Sequence, residues 1–292
     1  MKVSRSWSLV NSSYVVIGLG LAVAGCADHQ QRVETPITST AQSQAPAAAP
    51  GSQVFGNDSA PKAQVEALSA EAIVDAPDRS PEDRALDAGR HPVELLKFID
   101  LRPGMKVAEI AAGGGYTTEL LARAVGSTGA VFGQNSKFVL ERFAEKPWSE
   151  RLKKPVMSKV IRVDQPFDDP LPPKAGYFDV VINVLFYHDT VWQKTDRARM
   201  NRSIFEALRS GGAYVIIDHS ARAGAGIAEA ETNHRIEESV VREEIEKAGF
   251  RLAASADFLR NPNDTRDWSA SPRVAGERRG TSDRFVLKFV KP

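Results

Sequence analysis

From about Ser80 onward the chain alternates short apolar runs with amphipathic stretches, and that alternation constrains its fold class more than any other feature. Runs of strand length stand at 105–110, 130–133, 156–163, 178–185, 213–218, 252–258 and 285–290. Helical patterns fill 116–125, 137–145, 197–208 and 237–248 between them. Two more helices lead the series. One starts at Ser80-Pro81-Glu82-Asp83, a cap residue followed by Pro and two acids, and the other at Pro92. Strands joined through helices require right-handed crossovers, which give a mostly parallel sheet covered on both faces. Such sheets bind ligands beyond the carboxyl ends of their strands, so the loops after the strands are the ones that carry function.

The loop after the first strand is the most informative. Val107-Ala108-Glu109-Ile110-Ala111-Ala112-Gly113-Gly114-Gly115-Tyr116 leaves a strand and enters a helix. Three glycines clear side chains from the path of a ligand, and the helix start behind them offers free N–H groups. The dinucleotide fingerprint is incomplete. Its third glycine is replaced by Thr118, and the second strand ends in Gln134-Asn135 rather than in a carboxylate. The loop is either a cradle for another nucleoside ligand or a tight strand-to-helix turn.

With these residues the chain resembles the class I S-adenosylmethionine-dependent methyltransferases, and within them a bacterial group of predicted methyltransferases of unknown substrate. The resemblance spans residues 78–292. It rests on the glycine loop, on 131–135, and on Phe178-Asp179-Val180-Val181, Tyr187-His188-Asp189 and Leu208-Arg209-Ser210-Gly211-Gly212. It continues through Asp218-His219, Asn233-His234-Arg235-Ile236, Ala248-Gly249-Phe250 and Asp283-Arg284-Phe285-Val286-Leu287. It implies an α/β, Rossmann-like methyltransferase fold, with a seven-stranded, mostly parallel sheet, an antiparallel last strand over 284–290 and helices on both faces. It also implies S-adenosylmethionine as cofactor and methyl transfer to an acceptor that the sequence does not name. Carried over by position, Glu109 would accept from the methionyl ammonium, and Gly113, Gly114 and Gly115 would pass under the cofactor. Ala111 replaces the motif's first glycine. Asn135 would stand where an acid usually grips the ribose hydroxyls, without the charge-assisted strength of a carboxylate. Asp164 would either bond the adenine amino group or form a turn before Gln165-Pro166.

The same sheet edge gathers histidines. His188 follows the fourth strand, His219 follows the fifth, and His234 precedes the next helix, with Asp189, Asp218 and Glu231 nearby. His188, Asp189, Asp218 and His219 are the candidate catalytic residues, with a histidine as base for the acceptor's proton. A metal held by imidazole and carboxylate is the second reading. It ranks lower because no close spacing such as H-x-x-x-H occurs, and no metal is expected. Phe186 and Tyr187 would either flank the cationic sulfonium or belong to the core. Residues 260–283 form a polar insert with five Arg, four acids and Trp268. Such an insert is either a lid that brings Arg to an anionic group or a surface loop.

The front of the chain differs in character. Lys2 and Arg5 precede an 11-residue apolar run at 14–24, short of the roughly 20 residues that span a bilayer. Val23-Ala24-Gly25-Cys26 resembles a lipoprotein cleavage site. It implies a signal peptide over 1–25 and acyl chains on Cys26, the only cysteine. Ala27, rather than Asp, then points to the periplasmic face of the outer membrane. Residues 26–77 read as a tether. Of the 35 residues at 27–61, 23 are Ala, Pro, Ser, Thr or Gln, too few apolar groups to offset the entropy of ordering them. With 38 basic and 37 acidic residues the net charge is +1, so no nucleic-acid partner is expected. The expected partners are the methyl acceptor and, through the lipid, a membrane. Export sets the chain apart from the cytosolic cofactor, which leaves three arrangements open. The chain stays on the cytosolic face, the cofactor reaches it outside, or it is a cell-envelope lipoprotein that binds a ligand or metal with a degenerate methyltransferase fold.

Overall fold

The computed structural model describes residues 67–292; the apolar leader, Cys26 and nearly all of the tether lie outside the described residues. The described chain runs α1 (Ala70–Val74), α2 (Pro81–Arg90), α3 (Pro92–Ile99), β1 (Lys106–Ile110), α4 (Tyr116–Val125) and β2 (Ala130–Asn135). It continues through α5 (Lys137–Val139), a π-turn (Leu140–Ala144), α6 (Glu145–Arg151), β3 (Val160–Asp164) and β4 (Phe178–Val184). Then come α7 (Asp189–Trp192), α8 (Arg197–Ala207), β5 (Leu208–His219), α9 (Glu238–Lys247), β6 (Arg251–Ala256) and β7 (Arg284–Val290). Among the described residues no helix is long and apolar enough to cross a membrane.

The seven strands form one sheet in the order β3-β2-β1-β4-β5-β7-β6. All pairs are parallel except those of β7, which runs antiparallel to both β5 and β6. The expected fold is therefore the observed one. The order reverses between β1 and β4, which are hydrogen-bonded neighbours. This brings the loop after β1 beside the loop after β4. The central strands are buried on both faces, as their unbroken apolar runs require. Met200, Ile204, Val241 and Ile245 from α8 and α9, and Leu121 and Val125 from α4, complete the core.

Several boundaries differ from expectation for physical reasons. Ordered packing begins before residue 78, because α1 buries Ile73 and Val74 in a cluster with Leu96, Tyr116 and Leu120. The helix after β2 continues to Arg151 through the π-turn and past Pro147. Residues 155–157 form a short helical turn, so β3 starts at Val160. β5 starts at Leu208, and Gly211-Gly212 lies in an irregularity within it, where Phe178 pairs with Leu208 and Val180 with Ala213. The start of α2 is as expected: Ser80 accepts from the Asp83 N–H at 3.2 Å, ahead of Pro81.

Trp148 on α6 is fully buried beneath the glycine loop. A Cβ at Gly133 would lie 2.5 Å from its ring, so this glycine of β2 is needed for close packing. Gly133→Ala is expected to lower the unfolding free energy by about 1–3 kcal/mol through overpacking. The same change in a Trp148→Phe background should cost measurably less. Denaturant titration of the two single variants and the double variant checks this coupling.

Candidate active site

β1 delivers a buried carboxylate and then a bend. Ala111, Gly113 and Gly115 all take positive φ, of 57°, 56° and 83°. A Cβ at Gly113 would meet nothing within 4 Å, whereas one at Gly115 would strike Trp148. Gly113 thus faces open space, and Gly115 lets the protein's own indole approach. The bend is held from behind. Asn135 accepts from the Gly113 N–H at 2.8 Å and donates to its carbonyl at 3.2 Å. Gln134 accepts from the Ala111 N–H at 3.1 Å. Arg151 donates to the Gly114 carbonyl at 2.6 Å and pairs with Asp83 and Glu119, which ties α2, α4 and α6 to the loop.

The bend opens on a cavity of about 860 Å³. Glu109, Gly113, Gly114, Arg90 and Tyr116 line one side; His188, Asp189, His219 and His234 line another. The insert supplies Ala270–Arg273 and Arg279. Arg273 lies over the Phe143 ring, 4.5 Å from its centroid, and both residues line the cavity. Residues 270–273, 279 and 280 of the insert thus form part of the cavity wall. Ala111, Leu185 and His234 line the cavity and are left-handed without being glycine. Each is a conformation that surrounding contacts must hold.

Glu109 is buried, and Thr118 donates to its carboxylate. Burial raises its pKa to about 7, against the lowering effects of the Thr118 and Thr117 hydroxyls and of Arg90 and Arg151. Arg90 packs 4.5 Å from the Tyr116 ring centroid and has no carboxylate partner among the described residues. Arg284 is buried beside it, donating to the carbonyls of Gly89 and Gly280. Burial and the neighbouring Arg90 push its pKa down to about 10.

Across the cavity, Asp218 is fully buried at the end of β5. It accepts from the His188 N–H at 2.7 Å, from His188 Nδ1 at 2.7 Å and from the His219 N–H at 2.8 Å. Nδ1 of His188 therefore carries a hydrogen, because a carboxylate only accepts. Its Nε2 lies 3.1 Å from Asp189 Oδ1 and 3.2 Å from His234 Nδ1. Burial alone would lower the pKa of this ring; Asp218 and Asp189 outweigh it and push the value up to about 10. Asp189 is held well below the ordinary range by His188, against its own desolvation. His219 is the opposite case. Burial, His188, Arg284 and Arg235 keep it neutral, and its Nδ1 lies 2.7 Å from Ser282 Oγ.

Of the expected site residues, Glu109, Gly113, Gly114, His188, Asp189 and His219 line one cavity. Gly115 and Asp218 act from just behind it. Asn135 is fully buried with both amide atoms on Gly113, so it shapes the loop and does not present itself to a ribose. Asp164 is exposed, pairs with Arg162, and is not part of the cavity wall. Tyr187 is core, bonded through its hydroxyl to Glu244 and Asn201, and Phe186 stacks on Phe167. Arg90, Arg151 and Arg273 were not singled out from the sequence. Only the surplus of Arg in the insert hinted at the last.

A sequence profile of the protein-L-isoaspartate (D-aspartate) O-methyltransferase family matches residues 66–163. A S-adenosylmethionine-dependent methyltransferase from Aquifex aeolicus superimposes with a TM-score of 0.51 at 15% identity, over 77% of this chain and 100% of its own. Residues 66–163 are thus similar to a methyltransferase family, and the fold of the described chain is that of S-adenosylmethionine-dependent methyltransferases. A putative sarcosine dimethylglycine methyltransferase from Galdieria sulphuraria gives a TM-score of 0.52 at 13% identity, over 77% of this chain and 92% of its own. The [4+2]-cyclase SpnF gives 0.50 at 15% identity, over 72% and 81%. No curated protein matches the chain. The profile match ends within β3, before the strands that carry the histidines.

The cavity suits S-adenosylmethionine where its methionine would lie: room at Gly113, a carboxyl at Glu109 and, at Arg90, a guanidinium with no carboxylate partner among the described residues. The end of β2 presents no acid for the ribose. The raised pKa of Glu109 makes the folded protein hold an extra proton between the ordinary value of 4.5 and about 7. Stability should therefore fall as pH rises through that window and level off above it. Glu109→Gln should remove this slope, as denaturation of both proteins between about pH 4 and 8 would show.

Proposed function

We propose that the chain transfers the methyl group of S-adenosylmethionine to a nucleophile held between the glycine loop and the histidine cluster. The observation that carries this reading is the shared cavity, with Glu109 and Gly113 on one wall and His188, Asp189, His219 and His234 on another. When bound, the cofactor supplies an electrophilic methyl on a cationic sulfur. Glu109 supports its ammonium, Arg90 offers a cation to its carboxylate, and Gly113 admits it against the main chain. His188 and His234 would hold the acceptor's nucleophilic atom facing that methyl, so that its lone pair would form the new bond to carbon as the carbon–sulfur bond breaks and a neutral thioether leaves. The acceptor's proton passes to His219, a cavity imidazole that burial and nearby cations keep neutral. His188, fixed by Asp218 and Asp189, orients the acceptor.

Calorimetric titration with S-adenosylmethionine and S-adenosylhomocysteine tests the reading. Both should bind the wild type. Gly113→Val should weaken binding by about 100-fold or more because its branched side chain fills the space under the cofactor, with a folding cost of about 1–2 kcal/mol from its left-handed backbone. Absence of heat with the wild type at millimolar ligand would end the methyltransferase reading.

The Val23-Ala24-Gly25-Cys26 run supports a lipid-anchored chain at the periplasmic face of the outer membrane. Metabolic labelling with a fatty acid should mark the wild-type chain, and Cys26→Ala should abolish the label.

A further inference from the structure

Three potential ligand atoms meet at the acceptor side of the cavity. His188 Nε2, Asp189 Oδ1 and His234 Nδ1 form a triangle with edges of 3.1, 3.2 and 3.2 Å. With Nδ1 donating to Asp218, Nε2 is the ring position turned toward Asp189 and His234, and a bound ion would take the place of its hydrogen. A proton on that nitrogen settles one edge of the triangle. A cation above its centre settles all three. Ligands about 2.0–2.1 Å from a zinc ion stand about 3.3 Å apart in tetrahedral geometry and about 2.9 Å apart on an octahedral face. The observed edges fall between the two.

The surroundings match a built metal centre. Asp218 orients His188 through its far nitrogen, the carboxylate–histidine arrangement that fixes the tautomer of a metal-binding imidazole. Trp192 donates to Asp189 at 2.8 Å and orients the carboxylate. His234 is held with φ of 51°. The chain is held there because Ile236 donates to the His219 carbonyl at the end of β5 and accepts from the Ala221 N–H, and because Arg235 is buried against Asp264. All three candidate ligands line the cavity, so the remaining coordination positions face the acceptor.

We propose that His188, Asp189 and His234 bind one divalent first-row transition ion of the zinc or iron(II) type, with its open face on the cavity. Two imidazoles and one carboxylate are the donors such ions favour. Binding stands on this geometry alone. The ion's role rests on the methyl-transfer reading: it holds the acceptor through an oxygen or sulfur atom and eases loss of that atom's proton, which His219 accepts. The acceptor class is then a hydroxyl or thiol compound able to ligate a metal.

The full-length chain, stripped with a chelator, is titrated with Zn²⁺ by calorimetry, and with Co²⁺ while the visible absorption is followed. One ion per chain and visible Co²⁺ bands are expected. His234→Ala and Asp189→Ala should each weaken binding about 100-fold or more, and Asp218→Asn by about 10–100-fold, with thermal melts confirming that each variant is folded. Lack of binding by the wild type at submillimolar Zn²⁺ would overturn the proposal. So would stoichiometric binding that survives both His234→Ala and Asp189→Ala in folded protein. Cofactor titration of the same stripped protein keeps the two readings apart. Metal without cofactor binding would sink methyl transfer and leave the ion site. Cofactor without metal binding would do the reverse.

Discussion

The buried carboxylate of Asp218 is the constraint from which the site hangs. A charge removed from water costs several kcal/mol unless hydrogen bonds and an opposite charge surround it. Asp218 obtains these from the main chain of His188 and His219 and from the His188 ring. The end of β5 is thereby locked to the turn after β4. Rotating the His188 ring would leave a buried carboxylate short of a donor, so the ring is fixed before any ligand arrives. Asp189 and His234 meet a nitrogen whose direction is already set, which is the preorganisation that chemistry in a cavity needs.

The glycine bend opposite is held in a comparable way by different means. Its carbonyls and N–H groups are taken by Asn135, Gln134 and Arg151. Arg151 belongs to a network with Asp83, Glu119 and Lys154 that joins three helices. Members of this buried network depend on one another, so it acts as a unit. The left-handed Ala111 is held by its own N–H on Gln134 and by the N–H groups of Ala112 and Gly113 on Gln134 and Asn135.

The sheet was legible because parallel strands covered on both faces leave unbroken apolar runs, and 178–185 and 213–218 are such runs. The glycine loop was legible because its composition has few other uses. Other features left weaker traces. Pro147 disguised the continuation of a helix that passes it through a π-turn. Helix α1 is too short to show a period. Asn135 was found at the expected place, but a residue type does not encode which way an amide turns, and this one turns inward. The grouping of His188 with His234 escaped spacing arguments because the two lie 46 positions apart. Tertiary structure, and not a local helical repeat, brings them together. For the same reason Arg151, near the end of an unforeseen helix, gave no signal.

The insert between β6 and β7 carries its own anchor. Asp264 accepts from Arg235, from the Trp268 indole and from the backbone of Arg266 and Asp283, so both ends of the segment are pinned at one buried point. Residues 270–273, with 279 and 280, overlook the cavity between those pinned ends. Foundation and working surface are thus separate pieces of sequence. Drift at the overlooking positions can reshape which molecules are admitted while the strands, the glycine bend and the histidines stay untouched, so diversification among descendants of this chain has an inexpensive route through six residues.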